Sequence, residues 1–495
     1  MQKQSGILMP IFSLPTKYGI GDFGKTSYNF IDFLYSAKQN VWQVLPLVQT
    51  GFGNSPYSSI CSYSFNPYFI SLDMLEEEKL LTKKDLNKAK FNGSLIDYNF
   101  LYNTRYALLR KAFNNFNLTD KEFKKFLKEN KFGDYALFMT IKDLTKKPFN
   151  EWEEELKFRQ EKALRKVKKE NEKEYLFYQF IQFLGQKQWL LLKKYANKKG
   201  VKIIGDMPLY TAYDSVDVWV NPKLFKLDEN LSPTTVAGVP PDYFSKTGQL
   251  WGNPVYDYTE HEKTNFSWWK NRIKNALTIY DYVRIDHFRG LDRFYEIPAG
   301  SKDATFGEWK DVPSYKMFDE IKSKVNCENV IAEDLGIIDD GVRKLLKYTN
   351  FPGMKVLSFA FDGDENNLHL PKFAEYNSVC YTGTHDNDTL VGLINSLTEE
   401  RLKVLKKGVE ESCKLLGVKK CQNVVNNVIK LGFASNSKLF ILPMQDLCLL
   451  GTEFRINEPS VVKEQNWAII INKKYFSKKY IEKLKNYTLK YNRNK

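Results

Sequence analysis

Three short apolar runs in this chain each end on a carboxylate: Tyr282-Val-Arg-Ile-Asp286-His-Phe-Arg-Gly290, Val330-Ile-Ala-Glu333-Asp-Leu-Gly336 and Tyr381-Thr-Gly-Thr-His-Asp386-Asn-Asp-Thr389. A fourth, Val201-Lys-Ile-Ile-Gly-Asp206-Met-Pro208, ends the same way. Apolar residues leading straight into an acid read as buried parallel strands that deliver a side chain to the strand's carboxyl end, where barrel enzymes keep their chemistry. A carboxylate at a strand end also serves as a helix N-cap or a loop ligand, so no single run is decisive. Their recurrence, with His287 and His385 beside Asp286 and Asp386 and only four histidines in the chain, points to catalysis.

Two carboxyl groups suffice to break a glycosidic bond with retention. One attacks the anomeric carbon; the other protonates the leaving oxygen and later deprotonates the acceptor. Asp286 suits the nucleophile, because Arg284 lies two residues earlier on the same strand face and favours an ionised neighbour. Glu333 suits the acid/base, since the apolar run before it desolvates its carboxyl and raises its pKa. Asp386 is then a third carboxylate that binds sugar hydroxyls and favours positive charge in the transition state. Sugar rings stack on aromatic faces, and aromatic residues make up 15% of the chain. Trp251 and Tyr57 stand in Gly/Pro-rich loop contexts that fit such contact as well as loop anchoring.

Positioning these groups requires strands. Apolar runs recur at Ile7-Met9, Val41-Leu45, Val201-Ile204, Tyr282-Ile285, Val330-Ala332, Val356-Ala360, Val379-Tyr381 and Leu439-Leu442, with helical patterns between several of them. Eight such strands predict an α/β fold, a (β/α)8 TIM barrel, spanning residues 1–495 as one elaborated domain. The Lys/Glu-rich stretch of about 75–194 is too long for one crossover and reads as an inserted, mainly helical subdomain. A second insertion, about 207–265, is loop-rich and dense in Gly, Pro and aromatics. It includes Gly238-Val-Pro-Pro-Asp-Tyr-Phe244 and Gln249-Leu-Trp-Gly-Asn-Pro254, and reads as a region that covers substrate.

With 43% hydrophobic and 27% charged residues, a 495-residue chain can bury a large core. The net charge of +15 invites a polyanion, but no nucleic-acid motif accompanies it and the lysines read as solvated helix faces. Six cysteines (Cys61, Cys327, Cys380, Cys413, Cys421, Cys448) form no CxxC pair, so a reduced protein with no metal is expected. No apolar stretch spans a bilayer and no leader precedes Ile7, so no membrane partner and a cytoplasmic location are expected.

These residues resemble those of the amylomaltases, the 4-α-glucanotransferases or disproportionating enzymes of the wider α-amylase clan. The resemblance runs from Gly6-Ile-Leu-Met-Pro10 to Asn466-Trp467 and includes Ser55-Pro-Tyr-Ser-Ser59, Asn66-Pro-Tyr68, Gly205-Asp-Met-Pro208, Leu250-Trp-Gly-Asn-Pro254 and Thr452-Glu-Phe-Arg-Ile-Asn457. It implies Asp286 as nucleophile, Glu333 as general acid/base and Asp386, rather than Asp388, as transition-state stabiliser. It also implies substrate roles for Tyr57, Asp206, Trp251, Arg284 and His385, with Trp251 on a loop covering the glucan. No metal or organic cofactor and no obligate protein partner are implied, and the substrates would be maltooligosaccharides or longer α-glucans. The chain departs from the family pattern at Asn457-Glu-Pro-Ser460 and at Asn466-Trp-Ala-Ile-Ile470, where an arginine is missing after the tryptophan, so its last elements should be secured differently. The same acids would serve an α-glucan hydrolase. A noncatalytic glucan-binding protein and a nucleic-acid-binding protein are the readings from other classes.

Overall fold

A computed structural model describes residues 3–241, 245–336, 338–459 and 461–494. Its strands are β1 (Gln4–Leu8), β2 (Val41–Gln43), β3 (Lys202–Met207), β4 (Thr235–Val239), β5 (Gln249–Pro254), β6 (Tyr282–Ile285), β7 (Arg293–Pro298), β8 (Glu308–Asp311), β9 (Val330–Ala332), β10 (Gly353–Val356), β11 (Ser378–Tyr381) and β12 (Leu439–Pro443). Eight of them, in the order β10-β11-β12-β1-β2-β3-β6-β9, pair in parallel. The remaining gap, between β9 and β10, is bridged where Ala332 N–H donates to Pro352 O at 3.0 Å and Met354 N–H donates to the Asp334 carboxylate at 2.6 Å. The result is the expected barrel, and its strands are buried on both faces, as parallel strands wrapped by helices must be.

One strand departs from the sequence reading. The apolar run Val356–Ala360 is not itself the sixth barrel strand: that strand is β10, and Leu357–Phe359 forms a 3₁₀ turn. Val356 N–H donates to His369 Nδ1 and Ser358 N–H to Thr382 O, so the backbone leaves the ladder just where the apolar pattern is strongest. Val356 and Leu357 are both buried, so hydropathy alone does not mark where the strand ends and the turn begins.

Between Leu72 and Lys198 the chain is helical, ending in the 27-residue helix Glu172–Lys198. Its first half packs Phe180 and Phe183 into a cluster with Phe116 and Phe123, at ring separations of 4.8 to 6.4 Å. Its second half places Trp189 against Phe23 and Tyr280, with the indole N–H donating to Ile279 O at 2.9 Å. One helix thus carries continuous apolar packing from this segment into the barrel wall.

The stretch read as loop-rich contains β4 and β5, which join β7 and β8 in an antiparallel sheet of order β5-β4-β7-β8. β4 pairs with β5, the next strand, and with β7, which lies after β6, so only part of this sheet is a local pairing. Within that stretch Asp242, Tyr243 and Phe244 lie outside the described residues, as does Ser460 of the atypical C-terminal segment.

That segment is indeed held without the missing arginine. Trp467 O accepts from Tyr98 Oη at 2.7 Å, Ala468 O accepts from Ile96 N–H at 2.8 Å, and Asn466 bonds in both directions with Glu458. The buried Arg493 guanidinium closes the chain end by donating to the carbonyls of Phe433, Gln4, Ser437, Ser435 and Gly432. Among the described residues no helix is long and apolar enough to cross a membrane.

Candidate functional site

The four strand-end acids converge. β3 and β6 are neighbours with Asp206 in register with Arg284, which sets both side chains on one barrel position. Arg284 Nη1 donates to Asp206 at 2.9 and 2.7 Å and reaches Asp286 Oδ1 at 2.9 Å. Tyr57 Oη donates to Asp206 Oδ2 at 2.6 Å. Only a glycine fits before Asp206, because a Cβ on Gly205 would meet the Tyr280 ring at 2.1 Å.

After Asp286 the chain turns sharply. His287 takes a left-handed conformation, φ 50°, which a non-glycine residue adopts only against a steric penalty of roughly 1 kcal/mol. The turn aims successive backbone donors at the next strand: His287 N–H donates to Glu333 Oε2 at 2.6 Å and Phe288 N–H to Glu333 O at 3.0 Å. Leu335 N–H donates to the other carboxyl oxygen, Oε1, at 2.8 Å. Glu333 is therefore held by backbone on both oxygens, with its residue 8% exposed.

The third acid sits on the loop after β11. Asp386 Oδ1 accepts from Asn457 Nδ2 at 2.6 Å, and its Oδ2 lies 3.4 Å from His385 Nε2. Arg455 Nη2 donates to Asp386 O at 2.7 Å, and Asn457 N–H to His385 O at 3.2 Å. Asp388 faces elsewhere: it accepts from Thr452 Oγ1 at 2.8 Å and from Thr389 N–H. The two carboxylates of this loop thus have separate partners. Asn457 and Arg455 were not singled out individually; the signal was the Thr452–Asn457 motif, whose partner residues lie about 70 positions away.

Aromatic residues complete the walls. The Tyr57 ring stacks on His385 at 4.9 Å and 10°, and Trp467 lies 5.7 Å from Tyr57 and 5.9 Å from His385. The Trp251 ring, 37% exposed, meets His287 edge-on at 4.8 Å. Every residue expected from sequence to act here is thus linked by contact to one of two groups, Tyr57-Asp206-Arg284-Asp286 with His385-Asp386, or His287-Glu333 with Trp251.

Electrostatics bind the two groups together. Burial pushes the Asp286 carboxyl well above the ordinary range; Arg284 opposes this, while Asp206, Glu333 and Asp386 add to it. Burial also raises Glu333, against the pull of Arg284 and of the two backbone N–H donors. The sequence argument that Arg284 keeps Asp286 ionised is therefore incomplete: one guanidinium serves a set of facing carboxylates, and burial and those acids raise Asp286 against it. For Arg284, burial is outweighed by Asp206 and Asp286, which hold it charged. Burial and Arg289 lower His287 to about 3, keeping that ring neutral. Among the described residues no group of His, Cys, Asp and Glu side chains is arranged to hold a metal ion.

Comparison with known proteins places this arrangement. A family model described as 4-alpha-glucanotransferase matches residues 9–474. A 4-alpha-glucanotransferase of Clostridium butyricum is 44% identical over 98% of this chain and 100% of its own length. One from Thermus thermophilus is 40% identical over 94% and 93%. The structure of an amylomaltase from Streptococcus agalactiae in complex with acarbose superposes with a TM-score of 0.94 at 38% identity, covering 99% of this chain and 100% of that one. With the site geometry described above, these matches show that the chain belongs to the 4-alpha-glucanotransferase family.

Proposed function

We propose that the protein transfers α-1,4-linked glucan segments from a maltooligosaccharide or longer α-glucan to the 4-hydroxyl of a second glucose or maltooligosaccharide, by double displacement on Asp286. In the first half, an Asp286 oxygen attacks the anomeric carbon as the bond to the leaving O4 breaks, and Glu333 gives that oxygen its proton. In the second, Glu333 takes the acceptor's hydroxyl proton, the acceptor oxygen bonds to the anomeric carbon, and Asp286 departs as carboxylate.

The observation that carries this reading is the unequal support of the two acids. Asp286 contacts the Arg284 guanidinium at 2.9 Å, whereas Glu333 is held by neutral backbone N–H groups. Arg284 lies against Asp286, where its charge favours the attacking carboxylate against burial and the facing acids, while Glu333, raised by burial, is placed to hold the proton that the leaving oxygen takes. Asp386, held by Asn457 and beside His385, would bind sugar hydroxyls and oppose developing positive charge. Tyr57, Asp206, Arg284 and His385 would line the same subsite. The segments of about 75–194 and 207–265 are read as insertions that build the cleft around it.

The test is purified protein with maltotriose alone, following glucose and chain lengths over time. A ladder of products longer than maltotriose together with glucose is expected. Glucose and maltose without longer products would favour a hydrolase, and no change would remove the catalytic reading.

Trp251 would favour sugar over water at the glycosyl intermediate by covering it. Trp251→Ala is expected to raise hydrolysis relative to transfer by roughly 2- to 10-fold, a shift in barrier difference of about 0.4 to 1.4 kcal/mol. Reducing-end release measured beside product length gives both rates; an unchanged ratio would assign Trp251 to loop anchoring alone.

A further inference from the structure

The loop that carries His385 and Asp386 begins at Thr382, directly after β11, and ends where Leu390 opens the helix Leu390–Ser396. One buried side chain from a different strand joins both ends. Asp446, on the short helix Met444–Leu447 after β12, accepts from Thr382 Oγ1 at 2.6 Å with Oδ2 and from Leu390 N–H at 2.7 Å with Oδ1. Asp446, Thr382 and Leu390 are 2%, 0% and 2% exposed. We infer that Asp446 is a positioning residue for the proposed glucan transfer, its carboxylate fixing the base of the loop so that Asp386 is presented at the barrel mouth.

Two bland roles fit less well. Asp446 is not needed as the helix cap, because Thr389 already fills that place, its Oγ1 accepting from Gly392 N–H at 3.0 Å. Nor is it half of an ion pair: what bears on its charge is burial, the two hydrogen bonds and the neighbouring Asp388, with no cation among them. Burying a carboxylate without a cation is unfavourable, and a neutral apolar residue would pack the same space more stably. The feature that an apolar residue could not supply is the simultaneous hold on both ends of the loop by a side chain with two hydrogen-bonding atoms. The upper part of the loop is fixed separately, through Asn457, Arg455 and the Asp388–Thr452 bond, so the loop is gripped at base and tip.

This inference rests on the proposed role of Asp386, and the experiment separates the two. The probe is maltotriose disproportionation by the full chain, with kcat and KM measured for Asp446→Ala, Asp446→Asn, Thr382→Val, Asp386→Asn and the double variant Asp386→Asn/Asp446→Ala, and folding checked by thermal melting. Asp446→Ala should lower kcat by about 10- to 100-fold, the range expected when a catalytic group is misplaced by about 1 Å. Asparagine keeps an oxygen for Leu390 N–H and can donate to Thr382 Oγ1, so Asp446→Asn should restore kcat to within about threefold of the parent. Thr382→Val, which removes one of the two ties, should fall between them. In the Asp386→Asn background the Asp446→Ala change should have no further effect, because its effect acts through Asp386.

A folded Asp446→Ala with parental kcat would overturn the inference. So would an asparagine variant as impaired as the alanine one, or a double variant reduced by the same factor as the single. If Asp446→Ala does not fold, the asparagine and Thr382→Val variants decide: parental kcat in Thr382→Val would overturn the tether, and an intermediate kcat with asparagine rescue would support it. Full activity in Asp386→Asn would instead remove the role of Asp386, and the inference would fall with it.

Discussion

Asp286→Asn is expected to reduce transfer from maltotriose by about 10⁴-fold or more, the scale seen when the attacking group of a covalent mechanism is removed. The amide cannot form the glycosyl ester, and it also loses its charge toward Arg284, 2.9 Å away. The binding walls remain, since Tyr57, Asp206 and His385 hold one another through contacts that do not pass through Asp286. Glucan affinity should therefore survive. Calorimetric titration of the variant with a long maltooligosaccharide, beside a product assay, distinguishes loss of chemistry from loss of binding. Retained turnover at even about a tenth of the parental rate would exclude Asp286 as the nucleophile. Turnover by the parent, with retained binding but no turnover in the variant, would exclude the noncatalytic reading.

What could be read from the chain, and what could not, follows from the range of the interactions. The carboxylates at positions 206, 286, 333 and 386 were legible because each stands at the end of its own apolar strand, a local pattern with period and boundary. Arg284 beside Asp286 was legible for the same reason. The partner of Arg284 was not: its strongest ion pair is with Asp206, 78 residues earlier, and it exists because β3 and β6 are adjacent in the barrel. Asn457 on Asp386 and Asp446 beneath its loop are likewise products of β11 lying beside β12 and of the chain returning over the barrel mouth. The antiparallel sheet escaped notice because β4 pairs with β7 across more than fifty residues, while its local partner β5 is mostly exposed and carries no apolar run. The end of β10 was misplaced because the apolar run continues through buried Leu357 into the turn, whose Phe359 is exposed. The electrostatics of Asp286 and Glu333 were only half visible: desolvation could be read from the apolar run, but the number of carboxylates facing one guanidinium could not.

The raised pKa of Glu333 makes the pH behaviour of Glu333→Gln the most discriminating prediction. Glutamine has nearly the shape of the protonated acid, so the contacts from His287 N–H and Leu335 N–H can persist on one side while the transferable proton is gone. Transfer from maltotriose should fall by about 10²- to 10⁴-fold, the contribution of a general acid/base. In the parent, kcat/KM should decline at high pH as Glu333 loses its proton and at low pH as Asp286 gains one; the variant's residual rate should lack the high-pH decline. The effect on stability has the opposite sign to that on activity. The folded-state pKa of Glu333 is raised by burial, so the unfolded chain ionises first as pH rises. The parent is therefore favoured below the unfolded pKa, about 4.3, and loses that stability until the folded pKa is passed. Glutamine carries no such charge. At pH 7 to 8 the variant should melt higher than the parent, by roughly 1 to 3 °C, and the difference should vanish below about pH 4. Melting curves at pH 4 and pH 8 measure this directly. A variant that melts lower than the parent at pH 8 would mean that Glu333 is stabilised as a carboxylate by its two backbone donors, and the acid/base assignment would lose its physical basis.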